Sequence, residues 1–126
     1  MISTPADLPM PAPVLKTDTM RVGDATVCVL SGDLHIGTKA IGDQALNGAL
    51  EDGGALLAVD LDAVELFTAD GLNLLLDLQN TARARGVPLV LVSPSAAVRR
   101  VLDFTGATET FTIRPTIAEA TGRHRP

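Results

Sequence analysis

The sequence predicts a single-sheet α/β domain whose mixed, mostly parallel sheet opens with a β-hairpin and is flanked by helices. Three observations carry this. Two β-like runs, Leu15 to Val22 and Ala25 to Ser31, are separated by the turn dipeptide Gly23-Asp24. Apolar strand-like runs then alternate with helix-patterned segments, as in parallel strands joined by right-handed crossovers. Finally, 126 residues of which 46% are apolar can bury one core without help from a metal or disulfide.

Taken in order, residues 1–13 hold four of the eight prolines and lack the basic and apolar regions of a secretory signal, so they read as an N-terminal arm. Residues 14–121 form the domain and 122–126 a tail. Val27-Cys28-Val29-Leu30 is apolar on both faces and is the more buried hairpin strand. Ser31 to Gly37 reads as a polar, glycine-bounded connection. Thr38 is placed to cap a helix reaching about Asp52, with Ile41, Ala45, Leu46, Ala49 and Leu50 at helical spacing. Gly42 and Gly48 weaken that helix and Gly53-Gly54 ends it.

Leu56 to Leu61, interrupted only by Asp60, reads as a central strand, and Leu66 to Leu72 as a short turn. A helix from about Gly71 to Arg85 follows. Leu72, Leu74, Leu75, Leu76, Leu78 and Ala82 cover one arc of it, opposite Asn73, Asp77, Asn80 and Thr81, with only Gln79 out of pattern. Asp70 is expected to cap this helix from just outside, and Gly86 to stop it. Pro88 to Val92 is a further buried strand. Ser93 reads as the cap and Pro94 as the first position of a helix carrying Val98, Val101 and Leu102 inward and Arg99 and Arg100 outward, closing at Gly106. Thr110 to Ile113 makes a last strand, and Thr116-Ile117-Ala118-Glu119 is a capping-box pattern for a short final helix.

Charge and composition narrow the function. A net charge of −5, with three Phe and no Trp or Tyr, argues against nucleic acid and anionic membrane as partners. No uncharged run reaches the roughly 20 residues that a membrane helix needs. The lone Cys28 lies in an apolar run and reads as a buried, inert thiol, consistent with a cytoplasmic protein. His35 and His124 are the only histidines, too few bases to support nucleophilic catalysis, so no enzyme is expected. Asp60, Asp62 and Glu65 are the clearest candidate metal cluster, but acids lining a wet strand end explain them more simply. Phosphate-cradling glycine loops are absent, and neither metal nor cofactor is expected. A two-component receiver is a rival, because Asp62 and Asp70-Gly71-Leu72 superficially suit a phospho-acceptor region. It needs an early acidic pair and a late lysine, whereas the only lysines are Lys16 and Lys39.

The hairpin, Ser31-Gly32-Asp33-Leu34, Ala58-Val59-Asp60-Leu61, Gly71-Leu72, Ser93-Pro94-Ser95 and the stretch from Val98 to Gly106 stand in an order and spacing that resembles the STAS domain. More narrowly, the chain is similar to the bacterial anti-sigma factor antagonists over roughly Leu15 to Ala120. The resemblance implies a partner switch. Such a protein binds an anti-sigma factor that is also a serine kinase, and phosphorylation of a Ser or Thr just before the helix-opening glycine turns it off. The usual segment, Asp-Ser-Ser-Gly-Leu, corresponds here to Thr68, Ala69, Asp70, Gly71 and Leu72, so the carboxylate of Asp70 replaces the acceptor hydroxyl. His35 follows Leu34 where an acidic residue is usual, and Thr68 replaces an Asp. Thr68 offers a hydroxyl two residues upstream of the usual site. The partner surface implied by the resemblance comprises Asp33, His35, Thr38, Thr68, Ala69, Asp70, Gly71, Leu72, Asn73 and Asp77, with His35 able to pair with Asp70 if the two are close. A STAS module for small-ligand binding or scaffolding is the alternative.

Overall fold

The computed structural model describes residues 14–122; the expected arm at 1–13 and the tail residues 123–126, His124 among them, lie outside the described residues. The elements are β1 (Leu15–Val22), β2 (Ala25–Leu34), α1 (Lys39–Glu51), β3 (Leu56–Phe67), α2 (Ala69–Ala84), β4 (Leu89–Val92), α3 (Ala96–Thr105), a 3-10 turn (Ala107–Thr110), β5 (Thr112–Arg114) and α4 (Ile117–Thr121). They form one sheet of order β1-β2-β3-β4-β5, in which β1 runs antiparallel to β2 and all other pairs are parallel. The doubly wound order 2-1-3-4-5 of a receiver domain is not this order, which removes that rival.

Each β-α-β crossover steps the same way across the sheet, so right-handed connections put α1, α2 and α3 on one face. There Leu30, Leu57, Val59, Leu61 and Leu91 from alternate strand positions meet Leu46, Leu75, Leu78, Val98 and Leu102 from the helices. The opposite face buries Val27, Ala58, Val90 and Val92 under Ala120 of α4, with Ile117 packed alongside. Cys28 is fully buried in the helix-side core, as its apolar run predicts.

Both strands flanking the central crossover run further than their sequence suggests. β2 continues through Ser31-Gly32-Asp33 to Leu34, and β3 continues past Leu61 to Phe67. The pairing steps from Val29↔Asp60 to Ser31↔Ala63, and from Gly32↔Val64 to Asp33↔Leu66, so β3 holds one extra residue at each step. Two β-bulges thus reset the alternation, and Val64 and Phe67 turn inward at intervals of three rather than two. Gly32 permits this course: at φ +109 a Cβ would fall on the Val14 carbonyl oxygen.

Helix α1 also departs from its expected face. Ile41 is 47% exposed, while Gly42 is buried because a side chain there would press on Leu74, Leu34 and Leu15. The glycine is what lets α1 approach α2. Along α2 the inward arc forms as its spacing predicts, with Leu76 only partly buried, and Gln79 donating to the Thr110 carbonyl at 2.6 Å.

Candidate functional site

Past Asp60 and Val92, the last paired residues of β3 and β4, the sheet narrows to a ribbon of β2 and β3 edged by β1, which stays paired to β2 as far as Gly32. Its end places the β2–α1 loop beside the start of α2: the Thr68 amide donates to the Leu34 carbonyl at 3.2 Å. Residues far apart in the chain are thereby brought together, with Asp33, His35 and Thr38 on one side and Thr68 to Asp77 on the other.

The first loop is tied by its own side chains. The buried Thr38 hydroxyl donates to the Asp33 carbonyl at 2.7 Å and accepts from the His35 amide at 3.2 Å, while the Thr38 amide donates to the His35 carbonyl. Thr38 therefore stitches the loop and makes no cap to α1, contrary to its expected role. The Asp33 amide is held by the Val14 carbonyl at 3.0 Å. The His35 ring lies over Gly37, whose amide donates to Nδ1 at 3.0 Å. The other ring nitrogen, Nε2, is buried without a partner among the described residues. His35 makes no ion pair with Asp70 among the described residues, so the pairing raised by the sequence is not made. Ile36, at the loop tip, is 70% exposed.

The second segment corrects the expected start of α2. The helix opens at Ala69, so Asp70 sits inside its first turn and Thr68, in extended conformation, holds the N-cap position. Neither supplies a side-chain cap, and the Thr68 hydroxyl is turned inward, buried and unpartnered. The partly exposed Asp70 carboxylate makes no side-chain hydrogen bond or ion pair among the described residues; only the helix dipole favours its charge. Gly71 is required by space: a Cβ would come within 2.8 Å of the Phe67 ring and 3.1 Å of Leu34. Thr38, Gly71 and Leu72 are buried and form the frame, whereas Ala69, Asn73 and Asp77 are exposed and Asp33, His35 and Asp70 partly so. Asp70, Asn73 and Asp77 recur at helical spacing along the outer side of α2. Val14 and Ile36 escaped sequence reasoning, since a strand's register and a loop's direction leave no local signal.

The other candidate chemistry resolves into backbone support. Asp60 accepts from the Asp62 amide at 3.0 Å, and the Ser93 hydroxyl donates to Asp62 at 3.2 Å. Among the described residues no three His, Cys, Asp or Glu side chains group around a metal position, and no helix is long and apolar enough to cross a membrane.

A family model described as the STAS domain matches residues 16–120. An anti-sigma factor antagonist from Mycobacterium paratuberculosis is 26% identical, with a TM-score of 0.79 over 90% of this chain and 96% of its own. A structure from Thermotoga maritima, described as a putative anti-sigma factor antagonist, is 25% identical, with a TM-score of 0.73 over 87% and 95% of the two chains. The Bacillus cell fate determinant SpoIIAA in its phosphorylated form shares the fold at 19% identity, with a TM-score of 0.64 over 89% of this chain and all of that one. No curated protein matches the chain.

Proposed function

The chain belongs to the STAS domain family, and from that premise we propose that it is a cytoplasmic, non-enzymatic anti-sigma factor antagonist acting on an anti-sigma factor with serine kinase activity. The contact surface is the start of α2 together with the β2–α1 loop. Ala69, Asp70, Asn73 and Asp77 provide its exposed helical side, and Asp33 and His35 the adjoining loop. Thr38, Gly71 and Leu72 hold that surface in place from beneath.

One observation carries this reading. Asp70 lies in the first turn of α2, partly exposed and free of side-chain partners among the described residues, at the position where the family's segment has its hydroxyl. Charge at that point is thus offered to a partner rather than spent within the fold. A carboxylate supplies one negative charge against about −1.5 to −2 for a phosphate and lacks the tetrahedral oxygens, so it weakens kinase contact only in part. The inward Thr68 hydroxyl does not substitute as acceptor. The protein is therefore an antagonist that a serine kinase cannot turn off at this position.

Binding of wild type, Asp70→Ala and Asp70→Ser to candidate anti-sigma kinases tests the proposal. The serine variant is expected to bind more tightly than wild type and to become phosphorylated. If none of the three binds any candidate and Asp70→Ser stays unmodified, the partner-switch reading fails.

A further inference from the structure

The described residues carry one large side chain that the fold leaves almost bare: Phe104 on α3 is 91% exposed. One turn before it on the same outward face stands Arg100, with Arg99 beside it, and neither arginine forms an ion pair among the described residues. In a chain of net charge −5, this helix face carries two arginines beside a bare aromatic, with the exposed Asp103 between them, and nothing among the described residues covers Phe104. A second feature lies elsewhere on the helical layer. A shallow, open groove lies along the outer side of α1, lined by Asp43, Asn47, Gly48 and Glu51, with Asp77 the one residue of α2 that reaches it. Asp43 and Glu51 have only long contacts, 3.6 Å, to Lys39 and Arg85, and Asp77 has no ion-pair partner among the described residues.

Gly48 links the two. Unlike Gly42, it has no packing reason among the described residues, since a Cβ there would meet none of their atoms within 4 Å. A mid-helix glycine weakens its helix, and here nothing in the fold compensates. It leaves the groove floor open for close approach by an aromatic ring from outside.

We propose that the occupant of the groove is a second copy of this chain, docking the Arg99, Arg100 and Phe104 face of its α3 against Asp43, Glu51 and Asp77. The ring packs over Gly48 and the guanidinium groups meet the carboxylates, so the chain carries both halves of the contact. The two halves are different surfaces, which makes the association head to tail and open-ended instead of a closed dimer. The contact is small and polar at its rim, so its dissociation constant is on the order of 100 µM. Self-association stands independently of the kinase-binding reading, because its test needs only the purified chain.

Sedimentation equilibrium from about 10 µM to 1 mM, bracketing that constant, reads it. Wild-type average mass is expected to rise with concentration, and Phe104→Ser to abolish the rise. Gly48→Ala is expected to weaken association about fivefold or more while raising the melting temperature, a split that a purely structural glycine would not produce. Asp43→Arg alone and Arg100→Glu alone are expected to stay monomeric. Their equimolar mixture regains association, because the intact face of the first meets the intact groove of the second. A wild type that is monomeric throughout, a Phe104→Ser variant that associates like wild type, or a mixture that stays monomeric overturns the proposal.

Discussion

Gly71 shows how far one position constrains this site. Alanine there gains roughly 1 kcal/mol of helix propensity but drives a methyl into the Phe67 ring and Leu34, an overpacking cost of about 1–3 kcal/mol. Gly71→Ala is therefore expected to lower the urea midpoint, whereas Gly48→Ala raises it. Cys28 makes a second residue-scale prediction. Burial raises its thiol above the ordinary value of 9.0; the Thr19 hydrogen bond opposes this and the charge of Asp18 adds to it. Between the two titrations the folded thiol keeps a proton that the unfolded chain has released. Its contribution to stability is thus complete below the ordinary thiol range and lost as pH climbs through the raised value. Urea unfolding from pH 7 upward is expected to show stability falling once the pH exceeds about 9, and Cys28→Ala to flatten that fall.

At the scale of elements, helix starts were the least legible part of the sequence. The sequence puts the cap of α3 at Ser93 and opens the helix at Pro94, but the helix starts two residues later, at Ala96. In the structure Ser93 is at φ +50 with its amide donating to the Arg114 carbonyl, so it completes the sheet and Ser95 caps α3 through the Val98 amide at 3.3 Å. Ser95→Ala is expected to cost about 1 kcal/mol, and Ser93→Ala, which loses only an exposed contact with Asp62, within about 0.5 kcal/mol, both measured by chemical unfolding. The start of α2 misled in the other direction. Asp70 has the right chemistry for a cap, yet the backbone begins the helix before it, because β3 delivers the chain directly from Phe67 through Thr68. The final helix behaves as its sequence suggests, the Thr116 hydroxyl accepting from the Glu119 amide at 3.1 Å.

The whole molecule sets three helices on one face of the sheet, and among the described residues α4 alone covers the other. Removing residues from Thr116 onward uncovers Val27, Ala58, Val90 and Val92 together. The shortened chain is expected to keep its far-ultraviolet dichroism while binding a hydrophobic dye and self-associating; a truncated form that stays dye-free would deny α4 this covering role. Apolar periodicity, turn dipeptides and glycine stops were enough to read the strand and helix order, the hairpin, the buried Cys28 and the inward arc of α2, since each is written within a window of a few residues. Tertiary structure alone decided the rest. The two bulges that carry β3 to Phe67 and the inward turn of Thr68 depend on pairing between segments some thirty residues apart. So does the release of Asp70 from capping, which leaves its charge facing solvent at the head of α2. Local sequence records which residues favour a strand, a turn or a helix; only the register of β2 on β3 determines which of them remain exposed at the end of the ribbon.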